Sequence, residues 1–190
     1  ALGVIISGQT PVTCNGDCDG TATGLASGGT PPYSYQWNDS GTQTTATANL
    51  LCAGSYGLTL IDVNGCTDTT SVTIVEPDVV SLTVSAVDAH CGLADGSATV
   101  GATGGNGLSG YSWDDPAAQN TATAVNLPAG NYCVVVTDIL GCTATMCVTV
   151  NDLPPGVATI STSIDVSCNG GNDGSATVSM AGGQVPFTYN

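Results

Sequence analysis

The segment Asn15-Gly16-Asp17-Cys18-Asp19-Gly20 sets oxygen-bearing side chains at alternate positions and closes them with a glycine. Calcium loops open this way, because Ca2+ gathers several oxygen ligands and glycine permits the sharp turn. Asn15, Asp17 and Asp19 are therefore the candidate metal ligands, and Ca2+ is the only cofactor the sequence suggests. The bidentate Glu that would complete such a loop is missing, with Ala26 in its place. Later segments keep only Asp95-Gly96 and Asn172-Asp173-Gly174, so a recurring Asp-Gly turn is the stronger reading. Asp114-Asp115 is a second acidic pair, read as a solvated loop. The single histidine, His90, stands where the other repeats carry Thr13 and Ser167. No Ser-His-Asp or zinc arrangement forms around it, and no catalytic residue is expected. Asp68-Thr69-Thr70 resembles a bacterial O-glycosylation acceptor at Thr69, and Asn38-Asp39-Ser40 fits the N-linked sequon at Asn38.

Cysteine is the other reactive side chain, and its spacing organises the chain. Cys14, Cys91 and Cys168 lie 77 residues apart. Around them Cys-Asn-Gly-Asp-Cys-Asp-Gly-Thr-Ala-Thr (14–23) recurs in altered form at 91–99 and 168–177. Gly28-Gly29 answers Gly104-Gly105 and Gly182-Gly183, Trp37 answers Trp113, and Asp62 to Cys66 answers Asp138 to Cys142. A fixed period of this length marks a tandem array. Three units follow: 1–77, 78–154, and 155–190 as the truncated first half of a third repeat. Pro77, Pro154 and Pro155 mark short, stiff joints. The interrupted third repeat suggests a piece of a larger exported protein.

Nine cysteines without paired Cys-x-x-Cys zinc motifs indicate an oxidising compartment. Repeat position pairs Cys14 with Cys66 and Cys91 with Cys142. Cys133 and Cys147 flank residue 140 symmetrically and suit a cross-strand bridge; Cys18 with Cys52 follows by elimination. Cys168 is left without a partner.

The composition excludes much. The chain has 15 Asp plus Glu, no Lys and no Arg, for a formal charge of −15. Without cations it has no grip on a phosphate backbone, so no nucleic-acid partner is expected. Attraction to an anionic membrane surface is equally disfavoured, and no apolar run is long enough to insert. Thr, Val, Ile and Tyr are frequent while strong helix formers are scarce. Val80–Val87 alternates at period two, as do shorter runs at 58–61, 72–75 and 98–102. Asp-Gly, Asn-Gly and Gly-Gly pairs punctuate these runs at turns that want positive φ. Six or seven short strands per unit predict an all-β fold of tandem immunoglobulin-like β-sandwich repeats, stapled by disulfides. Trp37 and Trp113 are expected in the core of the third strand, and Tyr56 and Tyr132 as corner tyrosines.

Taken in order, Cys-x-Gly-x-x-Asp-Gly-x-Ala-Thr, Gly-Gly-x-x-Pro-(Tyr/Phe)-x-Tyr-x-Trp and Asn-Leu-x-Ala-Gly-x-Tyr followed by Asp-x-x-Gly-Cys resemble the SprB-type repeat of large surface adhesins of gliding bacteria. The first unit fits best, through Gly28 to Trp37. The second departs at Asn106-Gly107-Leu108-Ser109-Gly110, and the third returns with Pro186-Phe187-Thr188-Tyr189. The resemblance implies a non-enzymatic structural or adhesive array, exported to the bacterial cell surface. The repeats are expected to act as rigid spacers, and the unpaired sheet edges of the half repeat at 155–190 suggest a filament protomer completed by strand addition. The expected partners are neighbouring repeats or copies of the same chain, with surface polysaccharide as a further candidate. A calcium- or glycan-binding extracellular module is the alternative.

Overall fold

The structure is a computed structural model that describes residues 1–183 and 187–188. Pro186 and Tyr189 of the third aromatic motif lie outside them. The first repeat holds six strands: β1 (Gly3–Thr10), β2 (Gly20–Ser27), β3 (Ser34–Trp37), β4 (Thr47–Leu51), β5 (Gly54–Ile61) and β6 (Thr67–Ile74). They form two three-stranded sheets, β1-β2-β4 and β3-β5-β6. This is the immunoglobulin-like partition, in which the first, second and fifth strands of the standard order face the third, sixth and seventh.

The second repeat follows with β7 (Ser81–Val87), β8 (Ala89–His90), β9 (Gly96–Thr103), β10 (Leu108–Trp113), β11 (Thr123–Leu127), β12 (Gly130–Asp138), β13 (Thr143–Val150) and β14 (Asp152–Leu153). Its sheets are β11-β9-β7 and β10-β12-β13, with β14 parallel to β8. In the third, β15 (Val157–Ile164) and β16 (Ser175–Ala181) form an antiparallel hairpin. Among the described residues there is no helix long and apolar enough to cross a membrane.

The two complete repeats bury matching residues. Ala22, Trp37, Ala48, Leu51, Leu58, Leu60 and Ile74 correspond to Ala98, Trp113, Ala124, Leu127, Val134, Val136 and Val150, and every one is buried. Period-two alternation puts most of these side chains on the inner face of their strands. In β4 and β11 a register shift, with Leu50 and Asn126 at positive φ, returns Leu51 and Leu127 to that face three residues after Ala48 and Ala124. Each buried Leu, Ile or Val contributes roughly 1.5–3 kcal/mol of transfer free energy. Trp37 and Trp113 are core residues whose indole N–H groups donate to the carbonyls of Thr45 (3.0 Å) and Thr121 (2.9 Å). Tyr56 and Tyr132 are corner tyrosines, donating to the carbonyls of Cys52 (3.0 Å) and Pro128 (2.9 Å).

The Asp-Gly glycines differ from expectation. Gly16, Gly28, Gly29 and Gly65 do have positive φ, but Gly20 and Gly96 do not. They begin strands in a tight space. A Cβ on Gly20 would sit 2.7 Å from Ile74 Cγ2 and 2.9 Å from the Leu51 carbonyl; one on Gly96 would meet Val150 Cγ1 at 2.6 Å. Packing, not turn geometry, selects glycine there.

Grouped by their contacts, residues form two compact units: Ala1–Ser81 with Ala102–Ser109 and Thr137–Ala144, and Leu82–Gly101 with Gly110–Val136 and Thr145–Asn190. Two loops of the second sequence repeat thus belong to the first compact unit.

Candidate functional site

The chemically distinctive parts of the molecule are the loops that carry cysteine. Cys14 follows β1, Cys91 follows β8 and Cys168 follows β15, each in the connection that leads into the next strand, β2, β9 or β16. The Asp of each Asp-Gly pair holds this loop. Asp19 accepts from the amide of Thr13 at 2.8 Å and also from its hydroxyl. Asp95 accepts from the amide of His90 at 2.8 Å, and Asp173 from that of Ser167 at 3.0 Å. A second pin recurs: Gly16 donates to Glu76 and Gly92 to Asp152, both at 2.9 Å. The second loop is one residue shorter, and Cys91 takes up the difference with φ 52°. The Thr13 hydroxyl and amide hold the Asp19 carboxyl below the ordinary range, and the His90 amide does the same for Asp95. His90 Nδ1 lies 3.0 Å from Asp95 Oδ2, so the one histidine is tied to this loop.

Cys66 and Cys142 occupy the other cysteine position, in the turns β5–β6 and β12–β13. Here buried aspartates organise the loop. Asp62 accepts from Thr30 (3.1 Å), Asn64 (2.9 Å) and Cys66 (2.9 Å) amides. Asp138 accepts from the amides of Asn106 (2.9 Å), Leu140 (2.9 Å) and Cys142 (2.8 Å), and from the Asn106 side chain (3.1 Å). The Asn106 amide, with its fellow donors, keeps the Asp138 carboxyl low despite burial. For Asp62, burial raises the carboxyl, and the combined hydrogen bonds more than offset it. Asp39 and Asp115 play the same part beside the tryptophans, each bonded to a Gln (Gln43, Gln119) and to nearby loop amides. Of the Asp114-Asp115 pair, Asp115 is buried, while Asp114 is exposed and accepts from the amide of Cys133 at 2.8 Å.

The disulfides are Cys18–Cys52, Cys133–Cys147 and Cys14–Cys142. Cys18 with Cys52 is the pair expected by elimination, and Cys133 with Cys147 the pair expected from their symmetry about residue 140. The third replaces both bonds expected from repeat position, since Cys14 is joined to Cys142 while Cys66 and Cys91 are free and exposed, as is Cys168. Strand geometry explains the correction. The bond to Cys18 anchors Cys52 beside the Cys14 loop, at the start of β5, whereas Cys66 follows its end. Eight strand residues span roughly 26 Å, and a disulfide needs its Cα atoms within about 7 Å. The same holds in the second repeat: the amide of Cys91 donates to the carbonyl of Leu153, past the far end of β13, while Cys142 precedes its beginning. Cys14 and Cys142 have Cα atoms 5.6 Å apart. Beside them the Asn106 side chain also donates to the Thr13 carbonyl at 3.1 Å. A cleft lined by Cys14, Asn15, Asp17, Pro77, Asp78 and Cys142 opens there.

Two of the candidate calcium ligands have partners of their own. Asp19 is turned to Thr13, and the Asn15 side chain donates to the Pro77 carbonyl at 3.0 Å. Among the described residues no three His, Cys, Asp or Glu side chains are grouped to hold a metal. Asn38 is exposed, with its side-chain oxygen accepting from Gly57 at 2.7 Å, and Thr69 is exposed on β6. The roles of Asp39, Asp62 and Asp138 as loop hubs went unread in the sequence. Their signal was an Asp followed two and four residues later by the amides it binds.

The SprB repeat family model matches residues 7–42 and 160–190. The SprB resemblance is thus shown at two places, both outside the second repeat. No curated protein matches the chain. Among solved structures it is similar to Sidekick-1 immunoglobulin domains 1–5 (10% identity, 86% of this chain and 42% of that chain, TM-score 0.38). It is similar also to the N-terminal eight immunoglobulin domains of Down syndrome cell adhesion molecule (14%, 80% and 24%, TM-score 0.37). A third is invasin, a bacterial integrin-binding protein (16%, 85% and 42%, TM-score 0.32).

Proposed function

We propose that this chain is a non-enzymatic section of an extracellular repeat array, with a structural and adhesive role at a bacterial cell surface. The observation that carries the reading is the recurrence of one scaffold. Core residues, corner tyrosines and pinned cysteine loops return at a fixed period, and no chemistry-bearing side chain returns with them for any other purpose. The SprB matches agree with a surface array, and disulfides agree with an oxidising location. The absence of Lys and Arg keeps the surface anionic and mutually repelling, which favours solubility in the open. Immunogold labelling of intact cells with antibodies to residues 1–154 tests this reading. Surface label that proteinase K removes is expected; label only in permeabilised cells would overturn it.

A finer reading concerns the third repeat. The hairpin β15–β16 exposes Val157, Ile160, Ile164 and Val178, and in the described residues neither strand has a second neighbour. Strands of a neighbouring copy would complete it by addition, as β4 completes β1–β2 in the first repeat. Hydrogen exchange of residues 157–181 that slows with rising protein concentration is the expected sign; exchange indifferent to concentration would count against it.

A further inference from the structure

Cys14–Cys142 joins a cysteine of one class, in the loop between the first two strands of a repeat, to one of the other class, in the turn between its last two. Each class has free members here: Cys91 and Cys168 share the position of Cys14, and Cys66 that of Cys142. The Cys66 turn is held as the Cys142 turn is, and the Cys91 loop, one residue shorter and with Cys91 at φ 52°, keeps the two pins of the Cys14 loop. His90 and Gly92 amides are pinned by Asp95 and Asp152, as Thr13 and Gly16 are by Asp19 and Glu76. The amide of Cys66 is held by Asp62 at 2.9 Å, as that of Cys142 is by Asp138 at 2.8 Å. All three free thiols are exposed. A partner of the same class would reproduce no bond seen in the structure; a partner of the opposite class would reproduce Cys14–Cys142.

We propose that Cys91 and Cys66 are complementary joining thiols, each taking its disulfide partner from the opposite-class loop of another repeat, so that Cys91 of one copy bonds Cys66 of the next. The bond continues between repeats the linkage that Cys14–Cys142 makes within the chain. The inference stands on the loops and the observed bond, not on adhesion. The oxidant is a small-molecule disulfide such as oxidised glutathione. A Cys66 thiolate attacks it, forms a mixed disulfide and expels one glutathione thiolate. A Cys91 thiolate then attacks the Cys66 sulfur and expels the second. Two thiols lose two electrons and two protons, and one glutathione disulfide becomes two glutathione thiols.

The test uses the full chain carrying Cys168→Ser, which removes the remaining thiol of the Cys14 class. A Cys66→Ser version keeps only Cys91, and a Cys91→Ser version keeps only Cys66. The two are mixed in equal amounts in a glutathione redox buffer and separated on a non-reducing gel. The expected result is a Cys91–Cys66 heterodimer in roughly tenfold excess over either homodimer. Peptic digestion at low pH, needed because trypsin has no site, should yield the linked peptide. Homodimers and heterodimer in statistical proportion, or no dimer, would overturn the proposal. So would an intramolecular Cys66–Cys91 bond in the chain that keeps both thiols. In native material, Cys91 linked to Cys66 identifies a second copy as the source. Cys91 linked to an Asp-x-x-Gly-Cys turn outside these residues identifies a further repeat of a longer chain. Both support the proposal, and a native Cys91 recovered as free thiol or bonded to glutathione overturns it.

Discussion

The hairpins β1–β2 and β15–β16 are built alike and end up in different surroundings. Gly3 pairs with Ser27 and Val157 with Ala181; both registers slip at the same point, between Ile6 and Gly8 and between Ile160 and Thr162. Yet Val4 is 6% exposed and Ala22 is fully buried, while their counterparts Ala158 and Ala176 are exposed. Cys14 is bonded and Cys168 is free. Hairpin geometry, down to its bulge, is therefore written locally, in alternation and turn residues. Burial comes from the opposing sheet β3-β5-β6, and the bond from a loop far along the sequence.

Substitutions at matched positions can break this comparison. The largest effect is expected from the cysteines. Replacing Cys14 and Cys142 by Ser opens a bond across a separation of 128 residues, worth about 5 kcal/mol on the loop-entropy account. Cys168→Ser should shift the melting temperature little, and equal shifts for the two would erase the distinction. Next comes the core. Trp37→Ala should cost about 3–5 kcal/mol in denaturant unfolding, while Ile160→Ala, exposed on β15, should stay within about 0.5 kcal/mol. A smaller contrast lies at the glycines. Gly20→Ala drives a Cβ into Ile74 and Leu51 and should cost about 1–3 kcal/mol. At Gly174 the nearest atoms are 3.1 Å away, so the same change should cost less.

The subtlest prediction asks where the two hairpins agree. Asp19 and Asp173 are both held low by hydrogen bonds from the residue before the cysteine, Thr13 and Ser167. A carboxyl depressed in the folded state lends stability that is present above its unfolded value, about 3.9. That stability fades as pH falls through the lower folded value. In an NMR titration the amide protons of Thr13 and Ser167 should move together, with midpoints below about 3.9. A Ser167 midpoint at the ordinary value would show that the pin needs the completed repeat.

Much of the scaffold was legible because its determinants are local. Alternation at 80–87 fixed which faces of the strands are apolar, and the period fixed Trp37 with Trp113 and Tyr56 with Tyr132 as core and corner. Asp39, Asp62, Asp115 and Asp138 were harder to see, since a buried carboxylate surrounded by amide donors looks, in one dimension, like any loop acid. Gly20 and Gly96 were misread as turn residues because crowding by Ile74 and Val150 arises only once the sheets face each other.

The sequence by itself determined that this is a repeated, disulfide-stapled β-sandwich chain without cationic chemistry: strand period, turn residues and composition act over a few residues or over the whole count. Which partner Cys14 takes was decided only by the tertiary structure. The period is equally satisfied by bonds within a repeat or between repeats. What separates them is that Cys14 and Cys66 lie at opposite ends of a strand pair roughly 26 Å long. That length exists only in the folded sheet, and it sends Cys14 to Cys142 and leaves Cys66 and Cys91 open.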